Sequence, residues 1–180
     1  MNRTFCLAIL GIVAMTALPL RAQKQNSAVE VMVEDMQVSQ LGVSVTLRAN
    51  QTGDAIHLLI GLTEGQAIVR ALRHDAPARP QTHDLIKEIL DQTGWRVQKV
   101  VIRDLVNSPT GGTYIADLVL ERNGQTQVVD ARPSDAMAVA VRANAHIYVE
   151  PKVFEIERQQ EQQLGPEEEK NPSKEDTLHL

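Results

Sequence analysis

Alternating apolar and polar residues occur twice in the first third of the chain, and this alternation is typical of half-buried β-strands. The two stretches are residues 29–34 and 43–48. A third apolar run, Ala55–Ile60, follows a glycine-containing turn at residues 50–54. The pattern therefore predicts three strands before residue 61.

Helical spacing replaces this alternation after residue 61. Thr63 with Gln66 forms a capping-box pattern, which predicts the start of a first helix. Two prolines within residues 75–81 exclude a continuous helix through that segment. A second helix is predicted to begin near Thr82 and to stop at Gly94.

The rest of the chain alternates between the two patterns. Asn-Gly at positions 123 and 124 predicts a tight hairpin, and a segment rich in glycine, proline and serine at residues 107–112 predicts a surface loop. The further predicted elements are strands at residues 95–102, 114–121, 125–129 and 146–149, a helix at residues 136–143 and a last helix from Pro151. The predicted order, βββααβββαβα, indicates a single α+β domain with a mixed sheet of six to seven strands and three to four helices.

The first 22 residues have the features of a secretory signal. Arg3 precedes an apolar run at residues 5–18, and Ala22 ends a sequence suited to signal peptidase. Cleavage there predicts a mature protein that begins at Gln23, is exported to the periplasm or the exterior of a bacterium, and has no stable membrane span. The alternative is an uncleaved membrane anchor. The single cysteine, Cys6, lies in this segment, so no disulfide or thiolate chemistry is expected in the mature chain.

Composition divides the remaining chain into a domain, residues 23–157, and a tail, residues 158–180. The tail is rich in glutamine, glutamate and lysine, which predicts a disordered acidic segment. The domain core must be aliphatic, because aromatic residues are only 3% of the chain. The net charge of −5 argues against a broad basic face for a long duplex, so a polyanionic substrate would be held locally.

One sequence pattern occurs twice. Arg79-Pro80 precedes the second predicted helix, and Arg132-Pro133 precedes the third. Each pair is followed by a hydroxyl residue, expected to cap the helix, and then by an aspartate: Thr82 with Asp84, and Ser134 with Asp135. Helix capping accounts for the hydroxyls and the acids. An arginine at a helix N-terminus opposes the dipole unless an anion or a carboxylate is near, so the arginines indicate such a partner.

With these two segments the chain resembles the bifunctional nuclease family. The matching residues are 79–85 and 130–136, and Ile60-Gly61 followed by Glu64 also fits. The resemblance covers roughly residues 29–157. It implies a compact α+β fold that often self-associates, with a homodimer as the first expectation, and an activity on RNA and DNA that some members have.

The resemblance and the residue types together suggest a phosphodiester-cleaving site. The candidate catalytic residues are His83, Asp84, Asp130 and Asp135, and the candidate substrate-binding residues are Arg79, Arg132, Thr82 and Ser134. Asp84, Asp130 and Asp135 would bind the divalent cation, which their oxygen ligands suggest is Mg²⁺ or Mn²⁺. Two structural alternatives remain open. Arg132 pairs with Asp84 or Asp130 to lock the turns together, or His83 is a surface residue of a helical first turn.

The sequence therefore supports two hypotheses. The first is a weak, metal-assisted nuclease or phosphodiesterase acting on nucleic acid or a small phosphate ester. The second is a non-catalytic envelope module that binds a small anion or a protein partner. The acidic net charge favours the second, because nucleases of long polymers usually have more basic surface.

Overall fold

The computed structural model describes residues 27–108 and 111–164. The predicted signal peptide, residues 1–22, lies outside the described residues, as does the tail beyond Leu164. Within the described part of the chain, no helix combines the length and the apolar character needed to cross a membrane.

Within the described residues, seven strands form one mixed sheet, and the predicted order of strands and helices is confirmed. The strands are β1 (Val29–Val38), β2 (Val43–Ala49), β3 (Ala55–Ile60), β4 (Arg96–Ser108), β5 (Gly111–Arg122), β6 (Gln125–Ala131) and β7 (His146–Val149). Their spatial order is β3-β2-β1-β7-β4-β5-β6. Among these seven described strands, only the β4–β7 pair is parallel, so β7 joins the N-terminal three-stranded meander to the β4–β5–β6 meander.

In residues 27–108 and 111–164, four helices accompany the sheet, and α3 is central to their packing. The helices are α1 (Leu62–Leu72), α2 (Thr82–Gln92), α3 (Pro133–Arg142) and α4 (Pro151–Leu164). Both α1 and α2 contact α3, which also packs on β4, β5 and β7. Ala136, Ala138 and Ala140 are at most 1% exposed, because small side chains let α3 approach its neighbours closely. Gly65 does the same for α1, since a Cβ there would lie 2.5 Å from a methyl group of Val43.

Three local predictions about helix starts are wrong. The capping box of Thr63 is absent, because only Gly61 separates β3 from α1, and this places Thr63 inside the helix. The predicted hydroxyl caps Thr82 and Ser134 also lie inside their helices. Gln81 is the N-cap of α2, and Arg132 is the N-cap of α3.

Two predicted boundaries also differ from the structure. The segment at residues 107–112 is not a wide loop, because Asn107 pairs with Gly112 and residue 108 with residue 111 at the end of the β4–β5 hairpin. Helix α4 continues to Leu164, seven residues into the predicted tail. Its inner side carries Glu157, which is only 7% exposed.

Glu157 helps to close the curled sheet on itself. Strand β3 is at one end of the sheet, and its backbone N–H at His57 donates to Oε1 of Glu157 at 2.9 Å. The hydroxyl of Tyr114, from β5 in the other half of the sheet, donates to the second oxygen of Glu157 and lies 3.1 Å from the carbonyl oxygen of His57. The edge of β3 is therefore covered by side chains from β5 and α4, which brings the start of β5 near the end of β3.

Candidate active site at the N-termini of α2 and α3

The N-terminus of α3 is built from the sequence Arg132-Pro133-Ser134-Asp135. Arg132 is the N-cap residue, with φ −65° and ψ 141°, and Pro133 occupies the first helical position. Proline suits that position, because its ring fixes a helical φ and the helix requires no N–H there. Asp135 then lies in the first turn, where a carboxylate interacts favourably with the helix dipole.

Four side chains from three helices form a continuous chain of contacts at this point. His83 Nε2 is 3.1 Å from Asp135 Oδ1. Arg132 Nε donates to Asp135 Oδ2 at 2.6 Å, and Arg132 Nη2 donates to Glu64 Oε1 at 2.8 Å. The chain links the first turns of α1, α2 and α3, so it orders the surface where these helices begin.

Arg132 and Asp135 are both charged in this network. Burial raises the pKa of Asp135, but hydrogen bonds from Arg132 and His83 outweigh burial and hold that pKa below its ordinary value. Hydrogen bonds to Asp135 and then to Glu64 raise the pKa of Arg132. The two residues are thus an ion pair at neutral pH.

Exposure differs along the same chain of contacts. The side chain of His83 is 6% exposed and that of Asp135 is 32% exposed, whereas 68% of the Arg132 side chain is exposed. Arg132 is therefore the member of the network that an anion from solvent reaches first. The interpretation of His83 as a surface residue of the first turn is wrong.

A cavity of about 280 Å³ lies beside Arg132. Its walls come from the end of β3, the start of β5 and the first turn of α3, and they include Gly61, Tyr114, Arg132 and Ser134. Ser134 is only 7% exposed and lies in the wall of the cavity. It is not a helix cap, because it is the second residue of α3. The cavity places one exposed guanidinium next to space for a small group.

Asp84 lies in the first turn of α2 but belongs to a different set of contacts. One of its oxygens accepts from Arg142 Nε, and the other accepts from the backbone N–H of Gln81 at 2.9 Å. Burial raises the pKa of Asp84, but these hydrogen bonds outweigh burial and hold that pKa below its ordinary value. Asp84 thus caps its own helix and neutralises an arginine at the end of α3.

Asp130 lies on another surface of the molecule. On β6 it is directly opposite Asp117 of β5, whose neighbours Ala116 and Leu118 face the core. Because side chains alternate along a strand, Asp117 and Asp130 point away from that core. Arg103 pairs with both, through Nε at 2.9 Å to Asp117 and Nη2 at 3.0 Å to Asp130.

The other residues predicted to bind substrate also differ in their environments. Arg79 and Thr82 are exposed, and Arg79 forms no ion pair with any residue that the structure describes. Arg132 pairs with Asp135 and Glu64, so its predicted pairing with Asp84 or Asp130 is wrong.

The three carboxylates predicted to bind a cation do not converge. Asp84, Asp130 and Asp135 each pair with a different arginine. Across residues 27–108 and 111–164, no group of three or more His, Cys, Asp or Glu side chains is placed to hold a metal ion. This arrangement does not fit a shared cation site.

Sequence reasoning missed three partners in these networks: Glu64, Arg103 and Arg142. Glu64 matches the family pattern, but its partner Arg132 is 68 residues away. Arg142 follows Asp135 by two helical turns, and its partner Asp84 is 58 residues away. Local spacing carries no signal for such a contact.

Comparison with known proteins agrees with this geometry. The bifunctional nuclease domain matches residues 45–162, which run from within β2 to near the end of α4 and include every member of the His83–Asp135–Arg132–Glu64 network. The chain belongs to this family.

Several relatives extend the comparison. An uncharacterized protein of Mycobacterium tuberculosis is 38% identical over 127 residues, which are 69% of this chain and 73% of the relative. Bifunctional nuclease 2 of rice is 33% identical over 85 residues, 46% of this chain and 25% of the plant protein. Bifunctional nuclease 1 of Arabidopsis thaliana is 29% identical over 101 residues, 54% of this chain and 30% of the relative.

Proposed function

We propose that this bifunctional nuclease domain cleaves phosphodiester bonds in RNA or DNA at the cavity beside Arg132. Family membership and the similarity to two plant proteins named bifunctional nucleases indicate a nuclease-related function. The observation that carries the proposal further is the connection from the exposed Arg132 through Asp135 to the buried His83.

Arg132 would hold the phosphate. Its guanidinium can form two parallel hydrogen bonds to phosphate oxygens, which a lysine cannot match in geometry. With 68% of its side chain exposed, it can turn toward a ligand without breaking a buried contact. The cavity next to it would take the group on one side of the scissile bond.

Phosphate binding would also change the neighbouring acid. Arg132 lowers the pKa of Asp135 by donating to Oδ2. A phosphate that draws Arg132 away would remove that hydrogen bond, so Asp135 becomes a stronger base when substrate arrives. His83 would remain on Oδ1 and keep the carboxylate in position.

In the proposed step, the freed Oδ2 of Asp135 accepts a proton from an attacking water molecule. The water oxygen forms a bond to phosphorus, the bond to the leaving oxygen breaks, and solvent in the open cavity protonates that oxygen. A positioned acid–base group of this kind contributes on the order of 10²- to 10⁴-fold to a rate. A requirement for Mg²⁺ or Mn²⁺ stays a prediction.

Cleavage of short labelled RNA and DNA oligonucleotides tests the proposal. We expect Asp135→Asn to reduce the rate by about 100-fold or more, whereas Asp91→Asn, an exposed carboxylate of α2 remote from the network, leaves it unchanged. Each protein is assayed in EDTA, Mg²⁺ and Mn²⁺, with circular dichroism to confirm folding. Wild-type protein that is inactive in every condition contradicts the proposal, as does full activity in a folded Asp135→Asn protein.

One observation favours the second candidate function, a non-catalytic module that binds an anion or a protein. Every candidate carboxylate already pairs with an arginine, as structural ion pairs do. On that interpretation Asp135→Asn changes stability alone, and no preparation of the wild-type protein cleaves the oligonucleotides.

A further inference from the structure

A second cavity, of about 430 Å³, lies away from Arg132. It is bounded by the last turn of α1, the loop at residues 73–81, the first turn of α2 and the last turn of α3. Its volume is within the range of pockets that bind small molecules, roughly 300–1,000 Å³. It shares no lining residue with the cavity beside Arg132.

A fixed guanidinium lies in the wall of this cavity. The side chain of Arg142 is 9% exposed, with Nε donating to Asp84 and Nη1 donating to the carbonyl oxygen of Ala138 at 2.8 Å. Nη2 has no hydrogen-bonding partner in the part of the chain that the structure describes. Since no fully buried side-chain nitrogen there lacks a partner, Nη2 must be accessible to solvent, and Arg142 is a lining residue of this cavity.

The other charges around the cavity favour an anion. Asp84 is already occupied by Arg142 and by the N–H of Gln81. The lining then contains Arg70 and His74 with one further acid, Asp75, and none of these three forms an ion pair with a described residue. The adjoining segment, residues 69–80, contains three arginines and one histidine against that single aspartate.

Helix C-termini offer another explanation for the arginines of α1, since a cation complements the negative end of the dipole. The terminal carbonyls are already satisfied, however. The N–H of Asp75 donates to the oxygen of Arg70 at 2.9 Å, and the N–H of His74 donates to the oxygen of Ala71 at 3.1 Å. The dipole also gives no reason for a guanidinium as buried as Arg142 to keep a solvent-accessible, unpartnered N–H at the wall of a cavity.

We propose that this cavity binds a phosphate monoester carried on a small organic group, of the class of a nucleoside monophosphate. Nη2 of Arg142, with Arg70 and His74 at the rim, supplies donors from different sides, which suits the several oxygens of a dianionic phosphate. The organic group packs on the apolar part of the wall, which consists of Ala71, Ala76, Pro77, Pro80 and Val141. This binding does not depend on nuclease activity.

Calorimetric titration of the full chain with adenosine monophosphate, and separately with inorganic phosphate, tests the proposal. All variants carry Arg132→Gln, so that binding at the other cavity is weakened and does not mask the result. We expect Arg70→Gln and Arg142→Lys each to weaken binding about tenfold or more. Arg142→Lys keeps the positive charge beside Asp84 but removes Nη2. The matched control is Arg96→Gln, whose side chain is 81% exposed on β4 and which should bind as its parent does.

The outcomes are distinct. Equal affinity in the Arg132→Gln parent and in its Arg70→Gln variant overturns the site. The site is also overturned if neither adenosine monophosphate nor phosphate binds at 10 mM, roughly the weakest affinity of interest. Equal affinity for the two probes removes the organic group from the proposal and leaves a site for free phosphate. Should Arg142→Lys fail to fold, Arg70→Gln still decides, because Arg70 is exposed and unpaired among the described residues. Failure of oligonucleotide cleavage leaves these outcomes unaffected.

Discussion

The two Arg-Pro pairs have the same sequence and opposite environments. Arg132 bridges the carboxylates of Asp135 and Glu64, beside a cavity. Arg79 lies exposed in the loop before α2 and forms no ion pair with the residues that the structure describes. An identical dipeptide therefore belongs to a side-chain network in one place and to an open loop in the other.

The difference arises from where each helix begins. Arg132 is itself the N-cap of α3, so Asp135 is three residues away and within reach of its guanidinium. Arg79 lies two residues before the N-cap of α2, which is Gln81. Asp84 and Asp135 hold the same third helical position, but only Asp135 has an arginine of its own turn as a partner. Position relative to the helix start matters more than the dipeptide.

Removing the acid of α2 should have the larger effect on stability. Asp84→Ala leaves Arg142, which is 9% exposed, without its carboxylate, and it removes the cap on the Gln81 N–H. We expect the free energy of unfolding to fall by about 3 kcal/mol, measured by urea denaturation. Asp91→Ala breaks an exposed pair with Lys87 in the same helix and should cost roughly 0.5 kcal/mol or less. Equal losses in the two variants would show that the Asp84–Arg142 pair is not structurally important.

The acid of α3 should give a smaller effect that depends on pH. The folded-state pKa of Asp135 is lowered, so its ionised form stabilises the fold above about pH 4, the ordinary range of an aspartate, and this contribution is lost as the pH falls through the lowered pKa. Asp135→Asn should therefore be less stable than wild type by about 1 kcal/mol at pH 7. The difference in the free energy of unfolding between wild type and Asp135→Asn should become smaller toward pH 3. A difference that stays constant or grows between pH 7 and pH 3, measured by urea denaturation, contradicts the assigned ion pair.

The smallest stability effects, and the sharpest contrast, are expected from the two arginines. Arg132→Gln should lower stability by about 0.5 kcal/mol, since its pairs are largely exposed, while Arg79→Gln should change it by less than the error of roughly 0.3 kcal/mol. Oligonucleotide cleavage should fall only in Arg132→Gln. Loss of cleavage in both variants would mean that the loop of Arg79 also contacts substrate, as the sequence pattern predicts.

Much of the fold was readable from local patterns. The Asn123-Gly124 turn has positive φ at both residues, 51° and 76°, as a tight hairpin between twisted strands requires. The helix starts were less accurate. The cap of α2 is a glutamine and that of α3 an arginine, because the lengths of the connections from α1 and β6 and the packing of the helices place these residues at the boundary.

The candidate site was predictable only in part. Its segments and the residues Arg132, Asp135 and His83 follow from the sequence, because proline and aspartate mark helix starts through local backbone chemistry. Which side chains meet depends on how the helices cross. His83 and Asp135 are 52 residues apart, Arg132 and Glu64 are 68 apart, and Asp84 and Arg142 are 58 apart.

The sequence by itself determined the order of strands and helices and the family, since periodicity and motifs are local. Only the tertiary structure separated Asp84, Asp130 and Asp135 onto three arginines, because packing α3 between α1 and α2 and curling the sheet decide which charged groups come within reach of one another.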